Sequence, residues 1–315
     1  MTEQQHKAYE YFRNQGFLPV NKESYPVFKS YDGKDSRLFE TTAMISTVWA
    51  FAYQTIYKII YGYLCSLWFN KDGSIYCIVQ EPDATVASLQ ELVDTLYELY
   101  HAADLPALQL WTIEERFLKA YQNIQGYAIK ADYSDDWSEY AYRPQHILEI
   151  PGKINANKRN CLNKFIAAPN VSVLPITKEN IHICFELEDV WCSKQDCQLC
   201  ASFSGCEKKA LEDMVDMFDD RICNGIFGCV DNIPVAYAIW EKRNEKIAIL
   251  YFAKANLTDF NVYLYYILVK LYLSEVEYIN IGHDMGKAGL RMFKKRLGSH
   301  ERWKKYLCTF TKSSE

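Results

Sequence analysis

The sequence predicts a protein of the α/β (α+β) class built as two tandem domains, each a mixed, mostly antiparallel sheet flanked by helices. Three observations carry this. The chain has 315 residues, more than one domain of roughly 100 to 200 residues holds, so two domains each bury a core of their own. The second half reads as helix, antiparallel meander, helix, strand, helix, the order a mixed sheet with helices on both faces produces. The stretch from Asp135 to Gly152 contains Pro144, Pro151 and Gly152, punctuation that sets the domains at 1–150 and 151–315. A composition of 49% hydrophobic and 24% charged residues excludes disorder and collagen-like or coiled-coil architectures.

In the first half, Thr41 or Thr42 caps a short helix running through Trp49 and Phe51. Ile56 to Phe69 and Ser74 to Gln80 flank the Asp72-Gly73 pair, a hairpin signal with β-branched and aromatic residues on both arms. Val86, Leu89, Leu92, Val93, Leu96 and Leu99 recur at helical spacing across 85–102, and a short apolar stretch, Ala107 to Trp111, follows Pro106. The second half is better defined. A helix over 206–218 leads to strands 225–230, 235–240 and 246–252, with Asp231-Asn232 turning between the first two. A long helix over 262–275, a strand at 278–282 and a helix over 287–297 complete it. This order is similar to the fold of the GCN5-related N-acetyltransferases.

Charge is divided unevenly. Residues 1–150 hold 12 Lys+Arg against 20 Asp+Glu, and residues 151–315 hold 23 against 20, so −8 stands beside +3. An anionic partner therefore belongs with the second half. The N-terminus has no apolar leader, and the most apolar run, Ala43 to Phe69, is broken by Gln54, Lys58 and Gly62, so no integral membrane segment is expected and the protein reads as cytoplasmic. The 11 cysteines then read as reduced thiols. Cys197 and Cys200 have knuckle spacing, but Cys192 and Cys206 lie off the second-pair spacing, so no metal site is expected. No obligate protein partner is evident.

Two segments carry chemistry. The first contains Glu139-Tyr140-Ala-Tyr142, then Gly152-Lys153 and Lys158-Arg159-Asn160-Cys-Leu-Asn163-Lys164-Phe165. The second is Asn280-Ile-Gly-His-Asp284-Met-Gly286-Lys-Ala-Gly289-Leu290-Arg291-Met-Phe-Lys294. Together they resemble the C-terminal domain family of the phosphatidylglycerol lysyltransferases, tandem acetyltransferase-like proteins related to the Fem peptidyltransferases. The resemblance covers nearly the whole chain. It departs from the family after Lys294, where Arg296-Leu-Gly-Ser299 replaces Ser-Tyr-x-Pro. The chain also begins directly with the part that follows the family's membrane segment, so a lipid acceptor is not expected.

By composition alone, Lys158, Arg159 and Lys164 form either a phosphate grip or a solvated basic face. From Asp284 to Lys312 there are nine Lys+Arg against two acids. At helical spacing Lys287, Arg291 and Lys294 share one stripe and Leu290, Phe293 and Leu297 the other. Gly282 to Lys287 is not a nucleotide loop, having three residues between its glycines and Ala288 after the lysine. Asp284 is read either as a helix cap or as a functional carboxylate.

The resemblance implies a transfer of an acyl or aminoacyl group to an amine or hydroxyl, with the site in the second domain. It implies Asp284 and Lys294 as catalytic residues and Lys158, Arg159, Asn160, Asn280, Gly286 and Arg291 as binding residues, with the two basic clusters converging on one cleft. Aminoacyl-tRNA or acyl-CoA is the implied co-substrate. The loop from Ala253 to Asn261 lacks glycine, which disfavours a CoA pyrophosphate. The alternatives are a binding module without catalysis, holding an anionic small molecule or tRNA in the same cleft, and a CoA-dependent N-acetyltransferase.

Overall fold

A computed structural model of the chain describes residues 1–32, 37–80, 88–194, 207–219, 222–298 and 300–313. Two sheets of seven strands organise it. The first is built from β1 (Leu18–Pro19), β2 (Ile56–Ile60), β3 (Tyr63–Phe69), β4 (Ile75–Gln80), β5 (Leu108–Glu114), β6 (Tyr127–Tyr133) and β14 (Lys305–Lys312), in the order β1-β2-β3-β4-β5-β14-β6. The second contains β7 (Glu139–Tyr142), β8 (Val171–Pro175), β9 (Asn224–Val230), β10 (Ile233–Lys242), β11 (Ile247–Ala255), β12 (Tyr278–Asn280) and β13 (Glu301–Trp303), in the order β13-β7-β12-β11-β10-β9-β8. Helices flank both sheets, and the expected pair of tandem mixed sheets is what the chain forms.

Local chemistry explains the turns. In the β3–β4 hairpin Asp72 Oδ1 accepts from Ser74 N (2.9 Å) and Ser74 Oγ (2.6 Å), and Gly73 takes a φ of +93°. Asp231 and Asn232 turn β9 into β10 with φ of +51° and +64°. The run from Ile56 to Phe69, read as one arm, is two strands, because Tyr61 and Gly62 both adopt positive φ and reverse the chain between them. Tyrosine is no turn signal, so this reversal is not visible in the residue types.

Each sheet contains a parallel pair joined by a helix. In the first, helix Leu89–Ala102 links β4 to β5. A capping box starts it, with Ser88 and Glu91 each accepting the other's backbone amide. Its buried Leu92, Val93 and Leu96 pack in one cluster with Cys77, Leu110 and Phe310. In the second, helix Phe260–Leu268, continued by a π-turn over Val269–Leu273, links β11 to β12. Phe260, Leu264 and Leu268 pack in one cluster with Trp240, Ala248 and Leu250.

The contacts divide the chain at Asp135/Asp136 rather than at residue 150, and the C-terminal segment from Trp303 belongs with the first unit. The physical reason is pairing. Strand β7, which precedes residue 150, bonds to β12 through Tyr142↔Ile279 and Ala141↔Asn280. Strand β14 lies between β5 and β6. Nothing in the local sequence of 305–312 announces that long return.

Among the described residues no helix is long and apolar enough to cross a membrane, and no group of three or more His, Cys, Asp and Glu side chains is placed to hold a metal. Cys192 donates weakly to Glu188 at 3.8 Å, while Cys197, Cys200 and Cys206 lie outside the described residues.

A central strand contributed by the chain's end makes a direct prediction. Ending the chain after Lys304 removes β14 from between β5 and β6, so hydrogen-exchange protection of β5 and β6 should collapse while β9 to β11 keep theirs. Unchanged protection in β5 and β6 would contradict this placement.

Candidate functional site

The site grows from the end of β12. The chain turns through residues 281–287 into helix Ala288–Leu297, and Gly282, Met285 and Gly286 adopt φ of +67°, +54° and +71°. A Cβ on Gly286 would stand 2.8 Å from Asp136 Oδ2, so both conformation and space require glycine there.

Asp284 lies inside this turn with no exposed surface. Its Oδ1 accepts from Gly286 N (2.9 Å) and Arg291 Nη2 (2.8 Å), and its Oδ2 accepts from Arg291 Nε (2.9 Å) and Tyr140 Oη (2.6 Å). Arg302 Nη1 stands 3.9 Å from the same Oδ2. Burial alone would raise the carboxyl's pKa. The hydrogen bonds from Arg291, Tyr140 and the Gly286 amide outweigh it and hold Asp284 ionised, well below the usual carboxylate range. Tyr140 is pushed up to about 12, by burial first and then by its bond to Asp284. Arg291 also reaches Asp136 Oδ1 at 2.5 Å.

Asp284 is therefore not a helix cap. Lys287 occupies that position, without a side-chain cap bond. The carboxylate instead clamps Arg291 in a two-pronged pair, the geometry that makes arginine specific for carboxylates.

Lys294 is also drawn inward. Its Nζ donates to the carbonyls of Ile281 (2.5 Å), Gly282 (3.0 Å) and His283 (2.7 Å), while its own carbonyl accepts from Tyr142 Oη at 2.5 Å. Asn280, fully buried, donates to Glu139 Oε2 (2.5 Å) and accepts from Gly282 N (2.8 Å). Asn280, Asp284, Gly286, Arg291 and Lys294 thus meet at one turn. Asp136, Glu139, Tyr140 and Arg302 join them, residues to which sequence reasoning gave no role. Glu139 and Tyr140 stood in a recognised motif, but their partners are more than a hundred residues away.

The other cluster is separate. On helix Ala156–Ala167, Arg159 Nη1 donates to the carbonyls of Ile150 (2.7 Å) and Gly152 (2.8 Å) and ties off the preceding turn. Asn160 is exposed. Lys158 Nζ lies 5.0 Å from the Phe293 ring centroid, shielded from solvent and without a hydrogen-bond partner. Burial, reinforced by Arg296 and opposed by Asp259, brings its pKa down to about 8. At about 100° per residue, Phe293 and Arg296 project to the opposite side of their helix from Arg291 and Lys294. One helix stands between the two clusters expected to share a cleft.

Between β11 and β12 the sheet opens. Nine residues form β11, but only Ile247, Ala248 and Ile249 pair with β12. β12 follows β11 no further than Ile249, and the turn bearing Asp284 leaves from the far side of the gap. In open α/β sheets ligands bind in crevices outside the carboxyl ends of parallel strands, and the gap between β11 and β12 has that position. Three amides after β11 are engaged: Asn256 N donates to Val235 O of β10 (2.8 Å), Phe260 N to Leu257 O (3.2 Å) and Val262 N to Asp259 O (3.2 Å). Those amides are not available to a pyrophosphate.

Two predictions follow from these geometries. Asp284→Asn leaves Arg291 and Arg302 without their buried counter-ion, so stability should fall by about 3 kcal/mol or more in denaturant unfolding; an unchanged midpoint would restore the capping role. For Lys158, the folded pKa of about 8 lies below its ordinary 10.5. The folded chain then binds fewer protons than the unfolded one between those values, so the buried ammonium is a net cost at neutral pH that fades as pH rises. Lys158→Met should raise Tm at neutral pH, with the gain shrinking toward alkaline pH, whereas a lower Tm would show that the ammonium is paired.

Comparison with known proteins gives the site a context. No curated protein matches the chain by sequence. Among solved structures, a conserved protein of unknown function from Bacteroides thetaiotaomicron VPI-5482 is 20% identical with a TM-score of 0.82, over 94% of this chain and 99% of that one. L-PGS from Bacillus licheniformis is 14% identical with a TM-score of 0.60, over 95% and 94%. FemX is 13% identical with a TM-score of 0.57, over 94% and 97%. At such identities the likeness is one of fold. The family model described as phosphatidylglycerol lysyltransferase, C-terminal, matches residues 46–309, most of the chain and both of its motifs, and the protein therefore belongs to that transferase family.

Proposed function

We propose that the protein transfers an aminoacyl group from aminoacyl-tRNA to an amine or hydroxyl acceptor, using the opening between β11 and β12. The observation that carries this reading is the clamp of the partly exposed Arg291 by the buried Asp284, in the turn that follows β12. Transfer from an ester needs donors for the developing oxyanion and a rigid frame to aim them. Arg291 uses Nε and Nη2 on Asp284 and Asp136, which leaves Nη1 to face a donor carbonyl or phosphate.

Roles divide accordingly. Asp284 is too acidic and too fully bonded to take a proton, so it positions Arg291 and Tyr140. Lys294 holds the turn by its three carbonyls. Lys158, beside Arg296, meets a phosphate of the donor, and an anion there would supply the partner that its buried ammonium lacks. The engaged amides after β11 speak against acyl-CoA as the donor. The acceptor stays at the level of an amine or hydroxyl nucleophile.

The test uses the full chain with each labelled aminoacyl-tRNA and a mixture of amine and polyol acceptors, following label from tRNA to acceptor. Transfer faster than spontaneous deacylation for at least one amino acid is expected; none for any of them sinks the proposal and leaves a binding module. Arg291→Lys keeps the charge but loses the fork, so kcat should drop by roughly 100-fold. Lys158→Met should raise the donor KM by roughly 10-fold, with kcat nearly constant. Since a phosphate needs the charged amine, donor affinity should weaken as pH rises through about 8 in the unmodified protein and should not do so in Lys158→Met.

A further inference from the structure

The first sheet opens as the second does. Parallel pairing of β4 with β5 is confined to Cys77↔Leu110 and Ile78↔Trp111. Among the described residues, β5 pairs with β4 no further than Ile78. On the other side β5 passes through Thr112, a buried β-branched residue at φ +65°, a conformation such a residue adopts only where its surroundings impose it.

Gln80 ends β4 at this place. It is 5% exposed, and neither its Oε1 nor its Nε2 has a hydrogen-bond partner. A buried amide open at both atoms is rare, since each orphaned group loses its bonds to water and gains none in return. Side chains alternate along a strand, so Gln80 lies on the face of Tyr76 and Ile78, away from Ile75 and Cys77 in the core beneath helix Leu89–Ala102. Trp111, whose ring is 6.0 Å from that of Tyr76, shares this face. Lys305 stands over Trp111 at 5.8 Å and pairs with the buried Glu40. At the end of β5, Glu114 is held by Arg37 (2.9 Å) and Arg116 (2.8 Å). Aromatic rings, charges matched in pairs and one unmatched amide thus share one face of the sheet, the kind of lining a small-molecule site uses.

We infer that the opening between β4 and β5 is a second ligand site, for a small molecule bearing a primary carboxamide that pairs with Gln80. Such a group donates one N–H to Oε1 and accepts at its carbonyl from Nε2, so a single ligand group satisfies both orphaned atoms. A carboxylate fails, because its oxygen would face Oε1, acceptor against acceptor. The site shares no residue with the Asp284 cluster, so it stands or falls independently of the transfer reaction.

The test is a titration of the ¹⁵N-labelled full chain, reading the Gln80 side-chain NH₂ signals, which are identified by their loss in Gln80→Met. Acetamide and L-glutamine should each shift them saturably, and acetate should not. Gln80→Met should abolish calorimetric binding of L-glutamine while raising the Tm of the ligand-free protein, because it replaces an unsatisfied amide by an apolar chain of similar length. No saturable shift with either amide would mean that water alone fills the site, and a lower Tm in Gln80→Met would mean that the amide serves the fold; either result overturns the inference. Should Gln80→Met not fold, backbone connectivity identifies the signals in the unmodified chain and the titration decides alone.

Discussion

A carboxylate buried without exposed surface is the constraint around which the second unit's site is arranged. Removing Asp284 from water costs several kcal/mol unless its oxygens are bonded and its charge is met. Both conditions are satisfied by groups that have little else in common: the amide of Gly286 two residues on, the fork of Arg291 two helical turns on, and the hydroxyl of Tyr140 on β7. Each would be misplaced without the carboxylate. The turn needs its three positive-φ residues to bring the Gly286 amide round, and β7 must sit beside β12 to deliver Tyr140. A negative charge at one point therefore fixes a strand order, a turn conformation and the rotation of a helix.

How much of this the sequence discloses depends on the range of the interaction. The Asp72-Gly73 and Asp231-Asn232 turns are legible because the turn chemistry is contained in the turn, and helix Leu89–Ala102 because its period and Glu91 lie within it. The stripe of Arg291 and Lys294 is also legible, but its meaning is not: the same spacing suits a solvated face, and only the positions of Asp284 and the carbonyls of Ile281, Gly282 and His283 turn it inward. Tyr140 and Asp284 are 144 residues apart, and nothing local to either announces the other. The same holds for β14, whose residues read as a plausible strand anywhere and whose place between β5 and β6 is decided by pairing alone.

The two units use one device with different linings. In each, a parallel pair joined by a helix is paired for only two or three residues, with both strands continuing or turning beyond the last pair. Such short pairing is a backbone property and needs no particular side chain, which is why it survives where sequence identity between the halves is not visible. The lining does depend on side chains: a charged clamp beside β12, a neutral amide at the end of β4. Fold likeness to distant structures therefore speaks to the openings and not to what fills them.

Helix Ala288–Leu297 is the element through which the second unit's chemistry is connected. On one side it carries Arg291 and Lys294, locked to the turn; on the other, Phe293 and Arg296 face Lys158. The two sides differ in kind. Arg291 is held by anions already present in the protein, so its position is set before any ligand arrives. Lys158 has no hydrogen-bonded anion, only the more distant charge of Asp259, and a proton affinity lowered to a pKa of about 8, so its ammonium is present at neutral pH and is lost as pH rises. A helix bonded rigidly on one face and electrostatically incomplete on the other suits the proposed donor, which must be both gripped and aimed: in that proposal the incomplete face meets an anionic group, while the completed face keeps its geometry. Arg296, where this chain departs from the family's pattern, stands on the face of Lys158, so under the proposed function the departure bears on which donor is held rather than on how the transferred group is oriented.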